Sequence, residues 1–185
     1  MEIILVRHGR PTFELSGNVS SKKIAEVVKA YNLSGVTEEP PEEVFQAASN
    51  SRVVVCSHLS RSIQSARAMG VSDIHWSDEI YSEVAMPHFD GDTIVLPIGV
   101  WSVLMRIFSV FGFSKNGESL SMAKKRAEIA ASTLVNLAKS HGSVMLVGHG
   151  FMNYLIAKVL LSQNWTGPSR PAKHYWGHAV YQHVD

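Results

Sequence analysis

The chain has 185 residues, enough for one well-filled core and short for two, so a single domain over residues 1–185 is expected. Hydrophobic residues make up 45% and charged residues 18%, which excludes extended disorder, and a net charge of +1 leaves no basic excess to bind a nucleic-acid backbone. The lone cysteine, Cys56, excludes an internal disulfide and reads as a small buried residue of an apolar run.

The first element begins almost at Met1, where "EIILVRHG" predicts a buried strand over residues 3–6. With no basic region, apolar stretch and cleavage site ahead of it, a cytoplasmic address is expected. Helices are predicted over residues 20–31 and 41–48, separated by the turn-rich "SGVTEEPPEE". A strand over 53–56, a helix over 60–68 and a strand around 74–76 follow. Residues 94–113, "IVLPIGVWSVLMRIFSVFGF", carry only Ser102, Arg106 and Ser109 as polar side chains. Pro97 and Gly99 interrupt this run and Arg106 would lie deep in a bilayer, so a helix over the body of the domain is expected instead of a membrane span. A homo-oligomer contact or a membrane-surface contact is the alternative use of so apolar a stretch.

The helix predicted over 120–139 has the clearest period, with Ala127, Ala130, Ala131, Leu134, Leu137 and Ala138 on one stripe and Gly142 as its stop. A strand over 144–147, a helix over 151–161 and an alternating strand over 178–184 complete the chain. Strands alternating with helices predict an α/β fold, three layers with a mainly parallel central sheet covered on both faces.

Two of these strands end alike: "EIILVRHG" and "SVMLVGHG" each run from an apolar segment into His-Gly. A histidine at such a strand end stands at the carboxyl edge of the sheet, where open α/β folds place ligands. The pair His8 and His149 therefore predicts one site built from both ends of the chain. Arg7 precedes the first histidine, and Arg61 follows the strand in "RVVVCSHLSRSIQSA". Two fixed guanidinium groups with imidazoles between them form a receptor for a tetrahedral dianion such as a phosphoryl group. His8 is the candidate nucleophile, because a neutral imidazole can attack phosphorus through one nitrogen if the other donates to a fixed backbone carbonyl. Gly9 is expected to provide the sharp turn that supplies the carbonyl.

"LVRHGRPT", "SHLSRSIQSA", "GES" at Gly117 to Ser119 and "LVGHG" together resemble the ordered motifs of the histidine phosphatase, or phosphoglycerate mutase-like, superfamily, and its small bacterial-type phosphatase branch in particular. The resemblance covers most of the chain, from Ile3 to Gly150. It implies a phosphohistidine on His8, with Arg7, Arg61 and a partly protonated His149 holding the phosphoryl oxygens and Gly150 beside them. Glu83 in "IYSEVAMPHFDG" matches the family's catalytic glutamate, with Asp78, Glu79 and Asp90 as rival acids. Ser57 corresponds to a binding hydroxyl, whereas Ser60 is expected to cap the helix that follows. Arg10 stands where the family usually has an acidic residue or glutamine, and reads equally as a third anion contact or a solvated charge. His58, Met86 and Pro87 also depart from the pattern. Residues from about 92 to 116 correspond to an insertion that often forms a lid, and Trp101, Phe108 and Phe111 are expected to touch the organic part of a substrate.

No cofactor and no metal are expected. His174 and His178 are four apart, but Gly177 and Pro171 break the helix face a ligand pair would need, and no cysteine or carboxylate joins them at ligand spacing. These readings converge on a metal-independent phosphomonoester hydrolase acting on a small phosphorylated metabolite. Phosphoglycerate mutase-type transfer is the rival within the family, and mutases of this type are usually longer. A noncatalytic phospho-ligand-binding regulator is the rival outside it.

Overall fold

A computed structural model describes residues 1–85, 87–88 and 94–183. In chain order the elements are β1 (Glu2–Arg7), β2 (Asn18–Ser20), α1 (Ser21–Leu33), α2 (Glu42–Asn50), β3 (Val53–Ser57) and α3 (Ser60–Ala68). Next come β4 (Trp76–Asp78), a single 3₁₀ turn at Glu79–Tyr81, β5 (Val95–Pro97), α4 (Ile98–Val110), α5 (Leu120–His141), β6 (Ser143–Gly148), α6 (Gly150–Ser162) and β7 (His178–Gln182). Five strands form one sheet in the order β4-β3-β6-β1-β7, with β7 antiparallel to β1 and the other pairs parallel.

The apolar runs of β1, β3 and β6 are buried on both faces, so their alternate residues feed two different cores. Ile3, Leu5, Val53, Val55, Val144 and Leu146 face α5 and α6, whereas Ile4, Val6, Val54, Cys56, Met145 and Val147 face α2 and α3. This is the expected three-layer α/β arrangement. The stripe of α5 is indeed the side laid on the sheet, through Ala123, Ala127, Ala130, Ala131, Leu134 and Ala138, and its small side chains allow a close approach. Gly142 ends the helix at a φ of 87°, its amide donating to the Ala138 carbonyl at 2.8 Å.

Three expectations shift. The strand placed around residues 74–76 lies at Trp76–Asp78, because Ile74 packs into the core between sheet and α3 while the more polar residues after it carry the ladder. The helix after β3 is capped without Ser60; Leu59 occupies the cap position, and the Ser57 hydroxyl accepts from the Leu59 amide at 3.3 Å. The last strand is described to Gln182, and Val184 lies outside the described residues.

The apolar run 94–113 divides into β5, paired with β2, and α4. Ile24, Trp101 and Met105 are the buried centre of a satellite core against α1, and the Trp101 indole donates to the Val19 carbonyl at 2.9 Å. Val100, Val103, Ile107, Val110 and Phe111 are exposed. Among the described residues no helix is long and apolar enough to cross a membrane.

Candidate active site

The strand register sets the geometry. Arg7 on β1 pairs with Gly148 on β6, so the next residues, His8 and His149, leave the sheet side by side. The His8 amide donates to the Gly148 carbonyl at 3.1 Å, and the two imidazole centroids stand 5.0 Å apart. From α6, the Asn153 side-chain amide donates to the Val6 carbonyl at 3.0 Å, which ties the end of β1 to the helix that follows His149.

Hydrogen bonding fixes the tautomer of His8. Its Nδ1 lies 2.7 Å from the Gly9 carbonyl, which can only accept, so Nδ1 carries the proton. Its Nε2 lies 3.3 Å from Arg61 Nε, which can only donate, so Nε2 holds the lone pair. Burial holds the imidazole's pKa down to about 3, the Gly9 hydrogen bond opposing and the Arg61 and Arg7 charges assisting. His8 is thus a neutral imidazole at neutral pH. Gly9 is needed here for close approach: a Cβ on it would stand 2.4 Å from the Trp176 ring and 2.5 Å from Val36, and its φ is not in the left-handed region. Its amide donates to Ser65 Oγ at 2.9 Å.

His149 is fully buried, and burial followed by the charges of Arg61, His8 and Arg7 pushes its pKa well below the ordinary value. Burial thus favours the neutral ring, whereas a dianion bound beside it would favour the protonated one. Its Nε2 lies 3.3 Å from Ser62 Oγ, while its Nδ1 has no hydrogen-bond partner among the described residues. Arg7 Nε is likewise buried and unpartnered, and it lies beside Gly150, whose added Cβ would sit 3.6 Å from it. Buried polar nitrogens without partners are costly and rare, and an anion would complete both of these once His149 carries its proton on Nδ1.

The other cradle contacts are filled by the protein. Arg7 Nη1 donates to the Lys173 carbonyl, and the Arg7 guanidinium stacks on Tyr175 at 4.3 Å. Arg61, 1% exposed, donates from Nη1 to the Tyr31 carbonyl and Asn32 Oδ1, each at 3.2 Å, and its guanidinium lies over the Tyr31 ring. Arg67, further along α3, turns to the carbonyls of Val71 and Ser72.

Glu83 reaches the same place from the segment after the 3₁₀ turn. Its carboxylate accepts from the amides of Phe151 and Met152 at 3.3 and 3.2 Å, in the first turn of α6. Glu83, Arg7 and Gly150 line one cleft of about 530 Å³. Among the rival acids, Asp78 caps the 3₁₀ turn through Ile80, and Asp90 lies outside the described residues, as do Met86 and the start of the 92–116 insertion. Ser57 is fully buried at the end of β3, where its hydroxyl accepts from the Leu59 amide. Arg10 is exposed and ion-paired with Glu38 at 2.9 Å. Trp101 and Phe111 are not brought to the cleft; from α4 only Arg106 lines it among the described residues.

A model of the histidine phosphatase superfamily (branch 1) matches residues 3–176. The chain belongs to this superfamily. Its fold is similar to that of the open reading frame Rv3214 product of Mycobacterium tuberculosis, at 15% identity and a TM-score of 0.64, with 99% of this chain and 91% of that one covered. A phosphoserine phosphatase from Entamoeba histolytica, in complex with phosphoserine, is similar at 18% identity and a TM-score of 0.60, with 97% and 89% covered. Mycobacterial glucosyl-3-phosphoglycerate phosphatase is similar at 18% identity and a TM-score of 0.56, with 87% and 82% covered. Among curated proteins none matches.

In this histidine phosphatase superfamily member, the "GES" segment has a structural part to play that sequence reading leaves unassigned. Glu118 forms a two-point ion pair with Arg126 of α5 at 3.0 and 2.6 Å, and Arg126 Nη1 also donates to the carbonyls of Ile80 and Ser82 at 2.9 Å each. Ser119 accepts from the Met122 amide and caps α5. The segment that carries Glu83 is therefore clamped from behind. Asn153, the one amide side chain in the otherwise apolar start of "FMNYLIAKVLL", was the available signal for the tie to β1. Among the described residues no group of three or more histidine, cysteine or acidic side chains is placed to hold a metal.

Proposed function

We propose that the chain is a metal-independent phosphomonoesterase that acts on a small phosphorylated metabolite through a phosphohistidine on His8. The observation that carries this reading is the His8 tautomer: a neutral imidazole with its Nε2 lone pair directed toward Arg61, beside two buried nitrogens, Arg7 Nε and His149 Nδ1, that lack partners among the described residues. Membership of the superfamily and the phosphatase names of two fold neighbours support the same class of reaction.

The phosphoryl oxygens replace the carbonyl partners of Arg7 and Arg61 and accept a hydrogen bond from the Nδ1–H of His149, which places donors where negative charge grows as the P–O bond weakens. The Nε2 lone pair of His8 forms the N–P bond while the ester P–O bond breaks, and protonated Glu83 gives its proton to the leaving alcohol oxygen. The resulting carboxylate is received by the amides of Phe151 and Met152 at the start of α6, where the helix favours negative charge. It then takes a proton from water as the water oxygen attacks phosphorus, and the N–P electrons return to Nε2.

Hydrolysis of para-nitrophenyl phosphate after exhaustive chelation tests this reading. Turnover is expected. Tight phosphate-ester binding with no turnover would replace it with the noncatalytic binder, and recovery only on adding a divalent ion would replace it with metal chemistry. Glu83→Gln should slow an alkyl ester more than the aryl ester, by a difference on the order of 10²-fold, because phenolate leaves unaided. Equal losses would remove Glu83 from the acid role.

A further inference from the structure

The cleft is larger than a phosphoryl group requires and is lined beyond it by positive charge. Arg7, Glu83 and Gly150 mark its phosphoryl end, while Arg106 of α4, Phe151 and Tyr154 of α6, and Arg170 and Lys173 from the segment before β7 line the rest. Its volume of about 530 Å³ falls in the range of small-molecule sites. Glu83 is the only acidic side chain on this wall among the described residues, and its carboxylate is already held by α6.

Arg106, Arg170 and Lys173 form no ion pair with any described carboxylate. Arg106 instead lies over the Phe151 ring, 4.8 Å from its centroid. Lys158 stands over the Tyr154 ring at 5.2 Å, and a hydrogen bond from Lys158, aided by the charges of Arg170 and Lys173, holds the Tyr154 hydroxyl below the ordinary phenol range. Cations gathered on one wall repel one another, and the arrangement is relieved by an anion bound among them. The stacked rings of Phe151 and Tyr154, 6.1 Å apart, supply apolar surface beside these charges.

We propose that the cleft selects phosphate monoesters carrying a second anionic group, a carboxylate or a phosphate, received by Arg106, Arg170 and Lys173 while Phe151 and Tyr154 flank the organic body. This rests on the phosphomonoesterase reading of the His8 cradle. Arg170 and Lys173 are exposed, and Arg7 uses only the backbone carbonyl of Lys173, which a side-chain substitution retains.

The test compares kcat/KM for three esters on a three-carbon body: glycerol 3-phosphate with a neutral tail, 3-phosphoglycerate with a carboxylate, and 1,3-propanediol bisphosphate with a second phosphate. Both anionic tails should exceed the neutral one by about tenfold or more, a gap that charge-assisted hydrogen bonds can supply. Added salt should narrow it. In Arg170→Gln/Lys173→Gln, and separately in Arg106→Gln on a different element, the ratio should fall toward one. The better of the two anionic tails identifies the group. A neutral ester used equally well, or an anionic preference that survives both variants, overturns the proposal.

Two further measurements separate its failure from that of the parent reading. Turnover of para-nitrophenyl phosphate with no anionic preference removes the second subsite and leaves the hydrolase. Titration of 1,3-propanediol bisphosphate into His8→Ala, with binding that depends on Arg170 and Lys173 but no turnover of any ester by the unmodified protein, keeps the subsite and removes the hydrolase.

Discussion

Desolvation, more than any partner, decides the protonation of His8, and this couples the site to stability. The unfolded chain takes up a proton there near the ordinary value of 6.5, the folded chain only at about 3. Between these values the unfolded state binds more protons, so stability is full above about pH 6.5 and falls by about 1.4 kcal/mol per pH unit as the medium is acidified toward 3. His149 acts in the same direction. Denaturant melts should therefore show a steep loss from pH 7 to 5 that is shallower in His8→Asn, and histidine NMR signals of His8 and His149 should not titrate with a midpoint near 6.5. A midpoint there would contradict the burial argument. Gly9→Ala should lower stability by about 1–3 kcal/mol through overlap with Trp176 and Val36, and displacing the His8 turn should cost on the order of 10²-fold in kcat, read by thermal melts and steady-state kinetics. At this scale the sequence showed which residues stand at the strand ends, because His-Gly endings on apolar runs are local features. It did not show the full burial of His149 or the reason for Gly9, since both depend on what other segments bring alongside.

The central elements were legible for a similar reason. β1, β3 and β6 are continuous apolar runs and α5 has a stripe at helical spacing, so each carries its own signal. The three-residue pair β2 and β5 has too few residues to show a period, and β4 is set by its partner β3 more than by its own side chains. The clamp behind Glu83 was hidden because Arg126 sits in a helix among other charges, and its pairing with Glu118 joins α5 to the loop before it only in three dimensions. Glu118→Gln should loosen the Glu83 segment and so imitate Glu83→Gln, slowing alkyl esters more than aryl esters. A loss of equal size on both, with a lowered melting temperature, would make the ion pair structural only. Truncation to Glu118→Ala strands a largely buried guanidinium and should cost about 3–5 kcal/mol in stability.

Across the whole molecule, the sheet carries the chemistry while α4 and β5 form a separate satellite layer. Trp101, expected from sequence to meet substrate, is 4% exposed inside that satellite, because its apolar neighbours could not reveal which side of α4 meets α1. Trp101→Ala removes the largest side chain of a small cluster, a change worth about 3–5 kcal/mol in a packed core. Hydrogen exchange should accelerate over α4 and leave the β1 and β6 amides protected; uniform acceleration would show that the satellite and the sheet unfold together. Arg106 ties this layer to the cleft through Phe151, so loosening α4 should also weaken discrimination among esters. The central claim is covalent chemistry on His8, placed at the meeting of β1 and β6 by the strand register. The most direct measurement is rapid mixing with a ³²P-labelled ester, an alkaline quench and peptide mapping. The account predicts an acid-labile phosphoryl group on the peptide containing His8, absent in His8→Ala along with turnover. Label on another residue, or full turnover by His8→Ala, would contradict it.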